Sequence, residues 1–195
     1  MSNSNSVALR SGREPKPWLG LVVVALITSS FPGPAGADEC VLLTGARIFG
    51  SAFGDYGFTL TFGATPTNRA RGELFTHRSS GQRQSIWRAT LVNVPASVYV
   101  SELDDTVITV DTACRFGFEH AVVVYGPRGR VLSDYALEQL LSPAEIKDHV
   151  RRTVSWRLWT EGTRFEFDME RPEFVISLPW GRIIRIGLAT GHILP

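Results

Sequence analysis

The sequence predicts a mainly β domain of antiparallel meander sheets, as two to three propeller-blade-like units or a sandwich, with one short capped helix. Three observations carry that prediction. Gly, Pro, Asn and Asp recur about every ten residues, leaving only short apolar runs between them. Several of these runs alternate apolar with polar residues, the period of a half-buried strand. Only residues 141–152 carry helical punctuation: Ser142-Pro143-Ala144-Glu145 is a capping box with Pro at the first helical position.

Residues 1–37 read as a signal peptide. Arg10, Arg13 and Lys16 oppose Glu14 ahead of an apolar stretch over 18–27, and a Pro/Gly/Ser-rich exit ends in Ala35-Gly36-Ala37. That stretch falls short of the roughly 20 residues of a membrane helix. Small residues at Ala35 and Ala37 suit a signal peptidase, so cleavage is expected before Asp38, with an uncleaved anchor as the alternative. The protein is therefore expected to be exported, periplasmic or extracellular, with no membrane contact after cleavage. Residues 38–195 form a single domain, long enough for a substantial core. Without the leader, 17 basic residues stand against 18 acidic ones. No basic run survives to make a patch, which argues against a nucleic-acid partner. Export also places Cys40 and Cys114 in an oxidising compartment, where a disulfide between them is expected. Closing so long a loop is worth roughly 4 kcal/mol in the chain-entropy picture.

In chain order, residues 41–43 are a first strand candidate, after which the sequence loosens. Over 57–62, Phe58, Leu60 and Phe62 alternate with Thr59 and Thr61. A polar loop leads to strands at 73–77 and 85–91. Pro95 interrupts, and alternation resumes at Val98. Asp104-Asp105 marks a turn whose carboxylates are expected to bond the local backbone. Strands follow at 107–110 and 121–125, the second uniformly apolar and so expected to be buried on both faces. Gly126-Pro127-Arg128-Gly129 is a turn, with a partner strand at 130–132 and a helical turn at 135–140. In the helix, Leu141 and Ile146 are spaced as a hydrophobic staple, and Arg151 and Arg152 complement its C-terminal end. A hairpin around Arg171-Pro172 and a closing strand in RIIRIGLATG end the chain. There is an internal echo: Asp55-x-x-Phe58-x-Leu60 lands, fifty residues on, upon Asp105-x-x-Ile108-x-Val110. A third copy is expected between Arg164 and Gly191.

The segments SELDDTVITVD, AVVVYGPRGRVL, LEQLLSPAEI and TVSWRLW, in that order, resemble a group of uncharacterised exported bacterial proteins with propeller-blade-like β repeats. The resemblance spans residues 101–159 and implies the fold and export. It implies no activity. The chain departs from the group at TACRFGFEH, where more glycine and a Trp are expected.

The four histidines show no metal-ligand spacing, and no hydrolase elbow or phosphate loop occurs. No metal or cofactor is expected. If there is catalysis, Asp111, Glu119 and His120 are its candidates, as carboxylates beside an imidazole; an exposed loop histidine is the simpler reading. Trp156, Trp159 and Trp180 are candidates for stacking on a sugar or peptide, against a simpler role in packing. The functional expectation is an exported, non-catalytic binding or interaction domain for an envelope or extracellular protein or glycan. The alternatives are a structural subunit of a larger β assembly and a secreted enzyme using the 111–120 loop.

Overall fold

The computed structural model describes residues 45–63, 70–77, 82–113, 115–153 and 156–195. The expected signal segment, the strand expected at 41–43 and both cysteines with their expected disulfide lie outside these residues.

The domain is mainly β, and every described ladder is antiparallel. A first sheet runs in chain order through β1 (Ala46–Gly50), β2 (Tyr56–Thr61), β3 (Arg71–His77) and β4 (Arg83–Thr90). A second follows with the same order: β5 (Pro95–Val100), β6 (Val107–Thr112), β7 (Val122–Tyr125) and β8 (Val131–Tyr135). Helices α1 (Leu137–Leu140) and α2 (Pro143–His149) come next, then a short ladder of β9 (Arg151–Arg152) with β10 (Arg157–Leu158). The third sheet is β11 (Arg164–Asp168), β12 (Glu173–Ser177) and β13 (Ile183–Gly187).

Side-chain alternation explains how these sheets meet. Phe58, Leu60, Leu74 and Trp87 of the first sheet share a core with Val107, Val123 and Tyr125 of the second. The intervening residues of the second sheet, Ile108, Val110, Val122 and Val124, join a separate core. Its other members include Phe174, Ile176, Ile184 and Ile186 of the third sheet and Leu137 and Ile146 of the helices. The second sheet is thus the middle layer, which is why β7 reads as an unbroken apolar run. The fifty-residue echo has a structural counterpart. Phe58 and Leu60 point from the second strand of the first sheet into the first core. Ile108 and Val110 point from the second strand of the middle sheet into the second core.

The outer faces are charged. On the first sheet, Arg83 and Arg88 both reach Glu73 (3.1 and 2.7 Å), and Arg83 also lies over the Phe75 ring. On the third sheet, Arg185 bridges Asp168 and Glu173.

Local signals mostly hold. Thr106 N–H donates to Asp104 Oδ1 (3.0 Å), closing the expected turn. Ser142 N–H donates to Glu145 Oε2 (2.9 Å) and Glu145 N–H to Ser142 Oγ (3.3 Å), completing the capping box. The helix stops at His149, however, rather than running to Arg152, because Arg151 and Arg152 pair with β10 and tertiary pairing outweighs their helix propensity. Strand β5 begins at Pro95, where the missing N–H is harmless. Strand β1 falls in the segment that looked too loose for a strand; it is an edge whose residues, Ile48 included, are mostly exposed, so burial imposes no alternation on them.

Candidate functional site

The connection between β6 and β7 is held from beneath by one buried carboxylate. Asp111 is 1% exposed and sits at φ 55°, a left-handed conformation that Asp tolerates better than most residues. Trp159 Nε1–H donates to its two oxygens at 3.0 Å each, and Gly117 N–H donates to Oδ1 at 2.8 Å. Burial pushes the Asp111 carboxyl up to about 6, against the lowering effect of the Trp159 and Gly117 bonds.

Backbone bonds fix the same connection on three sides. Ala113 N–H donates to Val94 O (2.8 Å), Leu137 N–H to Phe118 O (3.1 Å) and Arg157 N–H to Phe116 O (3.0 Å). Arg157 packs its guanidinium 4.4 Å from the Phe118 ring centre and pairs with Glu138. Gly117 is at φ 70°, and a Cβ there would run into the backbone oxygen of Arg157. Helix α1 and strand β10 thus grip the loop, and only glycine fits the point of contact.

What the loop presents is polar. A pocket of about 210 Å³ is lined by Val92, Asn93, Thr112, Arg115, Glu119 and His120. The Nδ1 of His120 lies 2.8 Å from both oxygens of Asp134. A carboxylate only accepts, so Nδ1 carries the proton, and in the neutral ring Nε2 is the acceptor. Asn93 is 6% exposed; its Nδ2 donates to Asp111 O (3.2 Å) and Thr112 Oγ1 (3.1 Å). Reversing the amide would set oxygen against the Asp111 carbonyl, so the orientation is fixed, and Oδ1 is left without a partner.

Asp111, Glu119 and His120 therefore share one loop but not one role. Asp111 is spent on Trp159 and Gly117, and the carboxylate that meets His120 is Asp134. Trp159 is buried and belongs to the Asp111 anchor. Trp156 is half-buried, edge-on to Phe116 (5.5 Å), and Trp180 is half-buried, stacked on His149 (4.7 Å) with Nε1–H donating to Glu145. Thr112 and Arg115 lie in the loop that the sequence points to, with no role of their own assigned there; Asn93 and Asp134 lie outside it. Only the β7–β8 register, which pairs Val123 with Asp134, brings Asp134 to the loop.

Among the described residues, no three His, Cys, Asp or Glu cluster as metal ligands, and no helix is long and apolar enough to cross a membrane. No protein-family model, curated protein or solved structure matches the chain.

Proposed function

We propose that this chain is an exported, non-catalytic binding domain for an envelope or extracellular protein or glycan, and that residues 112–120 carry the contact. The observation that supports this most is the clamp on that loop: Asp111, Trp159, Gly117 and Arg157 are committed to holding it. Arg115, Glu119 and His120, at the pocket's rim, are paired with none of these. Binding loops set on a rigid scaffold are a common arrangement, because pre-ordering lowers the entropy lost on binding.

Export before Asp38 and a Cys40–Cys114 disulfide are part of this reading, as is a blade-like relation between the first two sheets, supported by their equal strand order and fifty-residue offset. A subunit that joins further blades into a ring is the weaker reading. The outer faces of the first and third sheets carry ion-paired Arg, Glu and Asp, which favours solvent over another sheet. An enzyme using the loop is weaker too, since Asp111 is buried in the anchor; the oriented His120 is its remaining support.

The test is an array of envelope glycans and peptides probed with the exported full chain and with its R115A/E119A/H120A variant. Probes retained by the native protein and lost by an equally folded variant would support the reading. Equal retention by both, or turnover of a probe that H120A abolishes, would overturn it. Mass spectrometry of the exported protein should find Asp38 at its N-terminus, and one disulfide.

A further inference from the structure

We infer that the pocket beside this loop takes a small zwitterion, an α-amino acid with its ammonium and carboxylate both free. This rests on the reading of the loop as a binding site and goes beyond it, with a small molecule in the pocket in place of the protein or glycan named there.

The donor and acceptor inventory sets the chemistry. The lining holds the carboxylate of Glu119 and the hydroxyl of Thr112, while the unpartnered Oδ1 of Asn93 is buried out of a ligand's reach. His120, its Nδ1 proton directed to Asp134, adds Nε2 as an acceptor when neutral. One wall is therefore rich in acceptors and carries a negative charge, which suits a primary ammonium with its three donors. Among the described lining residues, Arg115 is the one guanidinium. Its five donors suit a carboxylate, bidentate and charge-assisted. A ligand carrying only one of these groups would leave the opposite charge unanswered. Size narrows the class further. At about 210 Å³ the pocket is smaller than the roughly 300–1,000 Å³ of sites for drug-sized ligands. An amino acid fits that scale better than an oligosaccharide or a folded peptide.

The measurement is calorimetric titration of the exported full chain with glycine, alanine and glutamate. Glycinamide, which keeps only the ammonium, and N-acetylglycine, which keeps only the carboxylate, are the comparison ligands. At least one free amino acid should bind, and both blocked forms should bind at least tenfold more weakly. E119Q should erase the preference over N-acetylglycine, and R115A the preference over glycinamide, with thermal melts unchanged. Equal binding of free and blocked forms, or undiminished binding in both variants, would overturn the inference. So would the absence of binding by all three amino acids at millimolar concentration. If that absence came with array probes still dependent on Arg115, Glu119 and His120, the ligand class would fall while the binding reading stood. If the array dependence were absent as well, both would fall.

Discussion

The first two sheets share strand order and a fifty-residue offset, yet they end their second strands differently. In β2 the last residue is Thr61, exposed and paired regularly with Ala46 and Arg71. The residue fifty positions later in β6 is Asp111, buried, left-handed and bonded to a tryptophan 48 residues further on. The two sheets share their strand order, but among the described residues a further segment crosses under the second. The segment around Arg157 and Trp159 packs under the β6–β7 connection and turns it into a fixed platform. The site is therefore a property of this crossing and not of the meander itself.

The largest effect expected from breaking that difference is at Trp159. Replacing a buried Trp by Ala typically costs about 3–5 kcal/mol, and here the Asp111 carboxylate also loses a donor while staying buried. Trp159→Ala should lower unfolding stability by about 5 kcal/mol in chemical denaturation. The change fifty residues before Asp111 in the first sheet, Thr61→Ala, should stay within about 0.5 kcal/mol, as exposed substitutions do. Comparable losses at both positions would mean that the two strand ends are not distinct in kind.

Next comes pH. The fold raises the Asp111 carboxyl from its ordinary 3.8 to about 6, so it favours the protonated form. Its contribution is fully present below about pH 4, declines as pH rises through 6 and is gone above about pH 7. A shift of this size corresponds to roughly 3 kcal/mol. Asp111→Asn keeps an oxygen for Trp159 and Gly117, tolerates the positive φ and does not ionise. Its stability should therefore lack this decline, gaining on the native protein by roughly 3 kcal/mol between pH 4 and pH 7. Parallel pH profiles for the two proteins would show that the carboxyl titrates in the fold as it does in the unfolded chain.

A smaller effect is expected at Gly117. Alanine there must hold a left-handed φ and push its Cβ against the Arg157 backbone, which together should cost about 2–3 kcal/mol. Because the strain falls on the platform, loss of amide-exchange protection should concentrate at Asp111–Arg157 and leave β2 and β3 unchanged.

Such asymmetry bears on what the sequence could disclose. The alternation of Phe58 with Leu60 and of Ile108 with Val110, the unbroken run at 122–125 and the Ser142/Glu145 box are local signals. Each of them names its own element. The edge strand β1 has exposed Ala46, Arg47 and Ile48, and burial leaves no pattern there to read. The loop at 112–120 stands out as a place of interest through Asp111, Glu119 and His120. The partners of those residues do not, because each is fixed by tertiary register. Trp159 meets Asp111 through a crossing segment, and Asp134 meets His120 through the β7–β8 ladder. Trp159 therefore reads in sequence as one of three comparable aromatics, though its contacts set it apart from Trp156 and Trp180.

The smallest stability change is expected at Asp134, and there the two roles of the loop separate. Even a fully charged pair at the surface contributes at most about 1 kcal/mol, and this is an imidazole–carboxylate contact, so Asp134→Asn should move unfolding stability by no more than about 0.5 kcal/mol. The imidazole should respond strongly nonetheless. With two carboxylate oxygens at 2.8 Å, Nδ1 of His120 must hold the proton, whereas an amide offers both a donor and an acceptor and imposes no such choice. Long-range 15N spectra at pH 8 should report protonated Nδ1 in the native protein and a mixture of tautomers in the variant. A variant that keeps the native tautomer would mean that the loop backbone alone sets the ring. A variant destabilised by more than about 2 kcal/mol would move Asp134 from the presenting rim into the anchor, beside Asp111. The outcome expected here, unchanged stability with an altered proton, is what a rim residue on a rigid platform should give.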